Sequence, residues 1–286
     1  MPHAPIPSTQ SPMNKLHLQT DNAQLEVLPE RGGIILRWRV NEQEILYLDE
    51  ERLADPQLSV RGGVPILFPI CGNLPNNTYT HNGKQYTLKQ HGFARDLPWT
   101  VVNHQNASLT VALNSNEQTR EVYPFDFKVA FTYQLEGNSL EIQQHYTNLS
   151  SEPMPFSFGF HPYFSVSDKS QLKFEIPSSE YQEKGTNETH PFTGNFDFSQ
   201  DEIDVAFKQL SATSATVIDG SRGLKLTLDY DELFTTLVFW TVKGKDFYCL
   251  EPWSAPRNAL NTGENLTVLE PGSDLSTTIR LSANFF

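Results

Sequence analysis

One histidine of the chain lies in a setting that suits proton transfer. The segment Gly-Phe-His-Pro-Tyr-Phe occupies residues 159–164 and places His161 between aromatic residues and a proline. A free imidazole titrates near neutral pH, so it can donate or accept a proton under physiological conditions. Pro162 favours an extended backbone at His161, and Gly159 lets the chain pass close to a ligand. The segment alone leaves two interpretations: a general acid or base in a pocket, and a histidine at a strand end that is paired with the backbone.

Two arginines and a second histidine have glycines beside them. Arg61 precedes a Gly-Gly pair within residues 60–72, a segment whose glycines and prolines are unusual for a strand. His91 and Arg95 occur together in His-Gly-Phe-Ala-Arg. Loops that carry such side chains on a rigid sheet are a common way to build a site. We therefore expect these residues to bind a ligand, the alternative for the arginines being surface ion pairs.

A carboxylate closes an apolar segment near the end of the chain. Glu251 follows Tyr-Cys-Leu and precedes Pro252 and Trp253. Apolar surroundings raise the pKa of a carboxyl group and make it a usable base near neutral pH, whereas neighbouring cations lower it again. Glu251 is therefore a candidate general base, and the alternative is a carboxylate at the rim that pairs with an arginine.

Composition restricts the partners that the protein can have. The 286 residues include 34 acidic and 21 basic ones, which gives a net charge of −13. Phosphate backbones demand a basic surface, so a nucleic-acid or anionic-membrane partner is not expected. Cys71 and Cys249 are too few for a disulfide scaffold or a structural zinc site. The proline-rich start lacks the apolar core of a signal peptide, so we expect a disordered tail over residues 1–14 and a cytoplasmic protein that acts on a small molecule.

Apolar residues recur with a period of two, which is typical of strands. The longest alternation runs from Phe127 to Leu135, and residues 237–240 are apolar on both faces. Glycine and asparagine turn signals separate these segments, and no long 3.6-residue period is present. The pattern predicts an all-β fold, a large antiparallel β-sandwich that forms a single domain over residues 15–286.

Four motifs in this order resemble the aldose 1-epimerase (galactose mutarotase-like) superfamily. They are Arg-Gly-Gly-x-Pro from Arg61, His-Gly-Phe-Ala-Arg from His91, His-Pro-Tyr-Phe from His161 and Cys-x-Glu-Pro-Trp from Cys249. Each motif alone is weak, but four in sequence order are specific, and the resemblance extends over roughly residues 16 to 286. It implies the galactose mutarotase-like supersandwich, with a sugar bound in a cleft on one sheet.

The resemblance also implies roles for individual residues. His161 resembles the general acid of the family, Glu251 the general base and His91 the histidine that bonds the sugar near its ring oxygen. Asp204 resembles the aspartate that holds sugar hydroxyls, with Asp201 as a rival. Trp253, Phe68 and Phe93 are expected to stack on the apolar face of the sugar.

The implied reaction is mutarotation, the interconversion of the α and β anomers of a hexose. One acid and one base suffice for it, so we expect no metal and no other cofactor. The substrate expected first is a free aldose. A hexose 6-phosphate is the alternative, because Arg61 and Arg95 could hold a phosphate by charge-assisted bonds. A non-catalytic carbohydrate-binding module stays open as well, whereas a two-carboxylate glycosidase is disfavoured because only one carboxylate is well framed.

Overall fold

Strands dominate the chain, as the period-two patterns predict. The computed structural model describes residues 13–286 except residue 187. It is 49% strand and 9% helix, which confirms the all-β class. The tail predicted over residues 1–14 lies, up to residue 12, outside the described residues.

Short strands follow one another along the whole described chain. The strands of its first half are β1 (Leu16–Gln19), β2 (Ala23–Leu28), β3 (Ile34–Val40), β4 (Gln43–Glu44), β5 (Ile66–Leu67), β6 (Thr78–His81), β7 (Lys84–Thr87), β8 (Thr100–His104), β9 (Ser108–Asn114), β10 (Phe127–Glu136) and β11 (Ser139–Asn148). Those of its second half are β12 (Met154–Phe156), β13 (Gly159–Phe160), β14 (Tyr163–Ser165), β15 (Leu172–Glu175), β16 (Glu180–Glu183), β17 (Thr189–Pro191), β18 (Glu202–Phe207), β19 (Ser214–Asp219), β20 (Leu224–Tyr230), β21 (Thr236–Val242), β22 (Phe247–Trp253), β23 (Thr267–Leu269) and β24 (Asp274–Phe285). The helices are the short α1 (Glu50–Ala54), α2 (Glu117–Val122) and α3 (Ala259–Thr262), with 3-10 turns at Pro75–Asn77, Ala94–Asp96 and Lys169–Gln171.

Two large antiparallel sheets form the sandwich. The backing sheet has the order β15-β19-β20-β24-β11-β10-β9-β8. The cleft sheet has the order β17-β16-β18-β21-β22-β13-β5, with β14 also paired to β22. Three smaller sheets, β1-β2-β3-β4, β6-β7 and β12-β23, complete the pairing. The arrangement confirms the predicted antiparallel sandwich.

The alternating sequence buries one face of each strand between the sheets. On β10 every second side chain is buried, from Phe127 to Leu135. Aromatic rings of the two sheets meet in the core: Phe131 lies 5.7 Å from Phe160, and Phe68 lies 5.8 Å from Tyr146, between ring centroids. Burying each such side chain stabilises the fold by about 1.5–3 kcal/mol, so the sandwich is a rigid support for the cleft.

The cleft sheet is covered on both faces at its centre. All seven residues of β22 are buried, and all seven residues of β21 are buried or partly buried. This confirms the two-sided apolar pattern read at residues 237–240. The glycines beside Arg61 let its loop pass close to β3, since Gly63 has φ +62° and a Cβ there would lie 2.1 Å from the Ile35 carbonyl oxygen. The backbone N–H of Tyr163 on β14 donates to the Gly63 carbonyl at 2.9 Å, which ties the loop to the cleft sheet.

Candidate active site

The strand register places the catalytic candidates on one face of the cleft sheet. Glu251 on β22 lies opposite Val238 on β21, and the next pair on that face joins Trp240 to Cys249. Asp204 on β18 lies opposite Trp240. Because directly opposed residues of an antiparallel pair share a face, these side chains all point to the same side of the sheet. The pairing therefore brings residues 204 and 251 together although they are far apart in the sequence.

His161 reaches this face from the link between β13 and β14. Its backbone N–H donates to the Pro65 carbonyl at 3.0 Å, which ties the link to the neighbouring loop. The imidazole stacks on Tyr163 with ring centroids 4.7 Å apart. Its Nε2 lies 3.3 Å from Oε1 of Glu251. The two predicted acid–base groups are thus in direct contact.

Burial controls the protonation of this pair. Glu251 is 1% exposed, and burial raises the pKa of its carboxyl well above the usual range, although Arg257 opposes this. Burial likewise lowers the pKa of His161, with Arg95 acting in the same direction. The indole N–H of Trp253 donates to Oε2 of Glu251 at 3.1 Å and orients the carboxyl. Both shifts favour a neutral imidazole beside a protonated carboxyl.

His91 is fixed in one tautomer by the backbone of Gly72. The backbone N–H of Gly72 donates to Nδ1 of the His91 ring at 3.1 Å, and the backbone N–H of His91 donates to the Gly72 carbonyl at 2.7 Å. Burial lowers the pKa of His91, and the nearby His161 adds to the effect. Since Nδ1 accepts, the proton of the neutral ring is on Nε2. This Nε2 lies 3.2 Å from the side-chain amide nitrogen of Gln90, and both residues line the cleft.

Asp204 is bound by two cations. Its Oδ1 accepts from Nη2 of Arg257 at 2.8 Å, and its Oδ2 lies 2.8 Å from Nζ of Lys184. Its side chain is 10% exposed, whereas that of Asp201 is fully exposed and lies 3.9 Å from Lys243. Of the two aspartates left open by the sequence, Asp204 is the one in the cleft.

Two arginines face the cleft without a carboxylate. Among residues 13–186 and 188–286, no Asp or Glu oxygen lies within 4.0 Å of the Arg61 or Arg95 guanidinium. The Arg61 guanidinium lies 5.9 Å from the Trp240 ring centroid, and Nη2 of Arg95 donates to the Gln90 carbonyl at 2.9 Å. These two positive charges are thus available to a ligand, unlike those of Lys184 and Arg257.

All seven site residues predicted from the sequence line one cleft of about 250 Å³. They are His161, Glu251, Arg61, His91, Arg95, Asp204 and Trp253. Tyr163, which belongs to the His161 motif and could be expected to wall a pocket there, also lines the cleft. The sequence gives no site role to the other lining residues, which are Gln90, Lys184, Glu202, Trp240 and Arg257. Gln90 adjoins the His91 motif, and that adjacency could have identified it.

The stacking role expected of Phe68 and Phe93 is wrong. Phe68 is fully buried in the main core, Phe93 packs against the same core, and neither lines the cleft. Their apolar side chains pack in and against the core between the sheets instead. The half-exposed aromatic ring at the cleft is instead Trp240, whose indole N–H donates to Glu202 at 2.6 Å.

Both cysteines are buried free thiols, and one lies close to the catalytic pair. One ligand atom each from Cys249, His161 and Glu251 lie within 4.8 Å of one another. Burial raises the pKa of the Cys249 thiol well above its usual range. Proton transfer at this group needs only the histidine and the carboxyl.

Comparisons with known proteins agree with the architecture. The sequence model of the family "Aldose 1-epimerase" matches residues 14–282. The crystal structure of the Slr1438 protein from Synechocystis sp. PCC 6803 is 47% identical, with a TM-score of 0.96 over 99% of this chain and 100% of that one. A Cenchrus ciliaris protein named "Putative glucose-6-phosphate 1-epimerase" is 26% identical over 99% of this chain and 88% of its own length. The galactose mutarotase related enzyme of Lactobacillus acidophilus, 23% identical with a TM-score of 0.78 over 95% of this chain and 97% of that one, shares the fold.

Replacing Glu251 by Gln should change how stability depends on pH. A carboxyl whose folded-state pKa is raised stabilises the fold below its unfolded pKa, and that contribution is lost as pH rises towards the folded pKa. Gln does not titrate, so the unfolding free energy of Glu251→Gln minus that of the parent should increase with pH, by up to about 1.4 kcal/mol per pH unit. Urea denaturation between pH 5 and 8 measures the difference. Glu121→Gln, at an exposed site, is the control, and a pH-independent difference for Glu251→Gln would contradict the expected burial effect.

Proposed function

Because this chain belongs to the aldose 1-epimerase family, we propose that it is a mutarotase that interconverts the α and β anomers of a hexose. The observation that carries the proposal is the 3.3 Å contact between His161 and Glu251 at the base of a cleft of sugar size. Mutarotation needs one group that takes a proton and one that gives a proton, and these residue types supply both.

The reaction opens the sugar ring by two proton transfers. Glu251 takes the proton of the C1 hydroxyl, and His161 gives a proton to the ring oxygen. The C1–ring oxygen bond breaks as the C1 carbonyl forms. The aldehyde then turns about the C1–C2 bond, and closure on its other face reverses both transfers. Atoms and charge balance without any further reactant, as expected of general acid–base catalysis.

One proton is shared by the pair throughout this cycle. With the cyclic sugar bound, that proton is on His161 and the carboxyl is ionised. Once the ring is open, the carboxyl holds a proton and the imidazole is neutral. Burial favours this second state, because it penalises both charged groups. The cleft is therefore electrostatically suited to the open-chain intermediate, and the direct His161–Glu251 contact gives the proton a path between the two groups.

The remaining predicted residues would hold the sugar. The Nε2–H of His91 is a donor suited to the ring oxygen region. Asp204, fixed by Arg257 and Lys184, offers carboxylate oxygens to hydroxyl groups. Trp253 is only 1% exposed, so its main contribution would be to orient Glu251 through its indole N–H.

A hexose 6-phosphate is the second candidate substrate. The observation that favours it is the pair of arginines, Arg61 and Arg95, that face the cleft without a carboxylate in a chain of net charge −13. Charge-assisted bonds from guanidinium groups are the usual means of holding a phosphate. The name of the Cenchrus ciliaris relative also refers to a 6-phosphate.

We propose further that residues 15–286 form one domain. We also propose that the protein acts in the cytoplasm on a small sugar and binds neither nucleic acid nor a membrane. In the described part of the chain, no helix is both long and apolar enough to cross a membrane.

Removal of either catalytic group should slow turnover while sugar binding survives. Glu251→Gln keeps the shape and hydrogen bonding of the side chain but removes the base, so we expect kcat to fall by about 10²- to 10⁴-fold. His161→Asn should do the same, and the double variant should fall little further because the two groups act as a unit. Polarimetry on pure α-glucose and calorimetric sugar binding are the measurements. Turnover of Glu251→Gln at the parental rate would eliminate this mechanism and favour a carbohydrate-binding module.

Substitution of Arg61 separates the two substrate classes. If Arg61 holds a phosphate, Arg61→Ala should raise KM for glucose 6-phosphate about ten- to a hundred-fold and leave KM for glucose nearly unchanged, because a charge-assisted bond contributes about 1.5–3 kcal/mol. Steady-state anomerisation of both sugars tests this. Arg280→Ala, on β24 of the backing sheet, is the matched control. Equal effects of Arg61→Ala on both sugars would assign the arginine to hydroxyl binding or loop support.

A further inference from the structure

One arginine of the cleft touches both Asp204 and the tryptophan that orients the base. Nη2 of Arg257 donates to Oδ1 of Asp204 at 2.8 Å, and the guanidinium carbon lies 5.1 Å from the centroid of the Trp253 ring. The indole N–H of Trp253 in turn donates to Oε2 of Glu251 at 3.1 Å. A continuous chain of contacts therefore runs from the aspartate to the candidate base.

The neighbouring backbone confines the Arg257 side chain. Gly72 has φ +71°, and a Cβ at this position would lie 2.5 Å from Cγ of Arg257. Glycine is the residue that accepts such a backbone and such a close approach. The same glycine holds the ring of His91 through its backbone N–H. The space beside Gly72 is thus reserved for the arginine stem, and the guanidinium is kept over Trp253.

The charge of Arg257 lies where water screens it little. Its side chain is 23% exposed, and Nη1 is buried without a hydrogen-bond partner among the described residues. The face of an indole ring attracts a cation, which favours the charged guanidinium at this position. Asp204 does not cancel this charge, because Lys184 binds the same carboxylate and leaves the group with an excess of positive charge. A charge in such a place acts strongly on its neighbours.

The proposed cycle needs this charge, because Glu251 must be ionised before it can take the C1 proton. Burial instead favours a neutral carboxyl beside a neutral imidazole. Among the charged neighbours, Arg257 lowers the pKa of Glu251 most strongly, whereas Arg95 acts most strongly on the pKa of His161. Arg257 thereby favours the state in which the shared proton is on the imidazole.

The other titratable or charged groups that face Glu251 come from several elements. They are His161, Cys71, Cys249, Tyr163, Asp204 and Arg95. Of these six, Arg95 is the one that carries a permanent positive charge. Arg257 is thus the main cation that acts on the base.

We propose that Arg257 is a positioning residue of this site, which orients Trp253 against Glu251 and supplies the positive charge that keeps Glu251 ionised for proton transfer. The inference rests on the proposed mutarotase function for its effect on turnover. Its effect on Glu251 can be measured without a sugar.

Substitutions that remove or keep the charge test the proposal. Arg257→Met removes it at similar length, Arg257→Gln removes it but can still donate to Asp204, and Arg257→Lys keeps it. For both uncharged variants we expect kcat at pH 7 to fall about tenfold or more. Both limbs of the kcat/KM profile should move to higher pH, because loss of a positive charge favours protonation of the catalytic pair. Arg257→Lys should keep the parental limbs.

Lys184→Met is the matched control. It also removes one positive charge from the Asp204 carboxylate, but it leaves Arg257 on Trp253. We therefore expect a higher KM and limbs at the parental pH. Polarimetry on the sugar that the parent anomerises, glucose or glucose 6-phosphate, gives these values, and urea denaturation shows that each variant is folded.

NMR of the glutamate carboxyl groups gives a measurement without a sugar. In protein labelled with carbon-13 at the glutamate carboxyl, the Glu251 signal is identified by its absence from Glu251→Gln. Its titration should move to higher pH in Arg257→Met and Arg257→Gln, and stay in place in Arg257→Lys and Lys184→Met.

The outcomes separate this role from the mutarotase function. A Glu251 titration that is unchanged in the uncharged variants would overturn the proposal, even if KM rises, because Arg257 would then only hold Asp204. An equal change in Lys184→Met would also overturn it, since the effect would then come from Asp204. If the parent anomerises neither sugar, the mutarotase function fails, and the NMR titration still decides whether Arg257 acts on Glu251.

Discussion

The burial of one carboxyl group on a central strand is the constraint on which the site depends. Glu251 lies on β22, where both faces of the cleft sheet are covered, and it is 1% exposed. Removing a carboxyl group from water is costly unless it is protonated or well partnered. The large aromatic core between the sheets provides the stability that offsets this cost, and His161 and Trp253 supply the partners.

The partners come from separate parts of the chain, so the sandwich has to hold them. His161 is fixed by stacking on Tyr163 and by its N–H bond to the loop before β5, and His91 is fixed through both backbone groups of Gly72. Positive charge is distributed unevenly around this centre. Asp204 neutralises the cations at one side, while Arg61 at the other faces the cleft without a carboxylate among the residues described. The Arg61 side of the site is therefore more positively charged than the Asp204 side.

Much of the fold and the central pair could be predicted from the sequence, because both depend on local pattern. Alternating residues from Phe127 to Leu135 became β10, and the motifs around His161 and Glu251 came together in one cleft. Arg257 and Lys184 could not be predicted, since no local motif marks them and only the fold brings them to Asp204. Composition likewise cannot separate an aromatic residue of the core from one at a ligand, which is why Phe68 and Phe93 were misassigned.

Exchange between anomers at equilibrium tests the central claim most directly. Magnetisation-transfer NMR on the anomeric protons of glucose and of glucose 6-phosphate in D₂O measures the ring-opening cycle itself. The account predicts that the α–β exchange rate of at least one of these sugars rises in proportion to protein concentration, with no deuterium incorporated at C1 or C2. An exchange rate that stays at the uncatalysed value for both sugars, or deuterium at C2, would contradict acid–base mutarotation by His161 and Glu251.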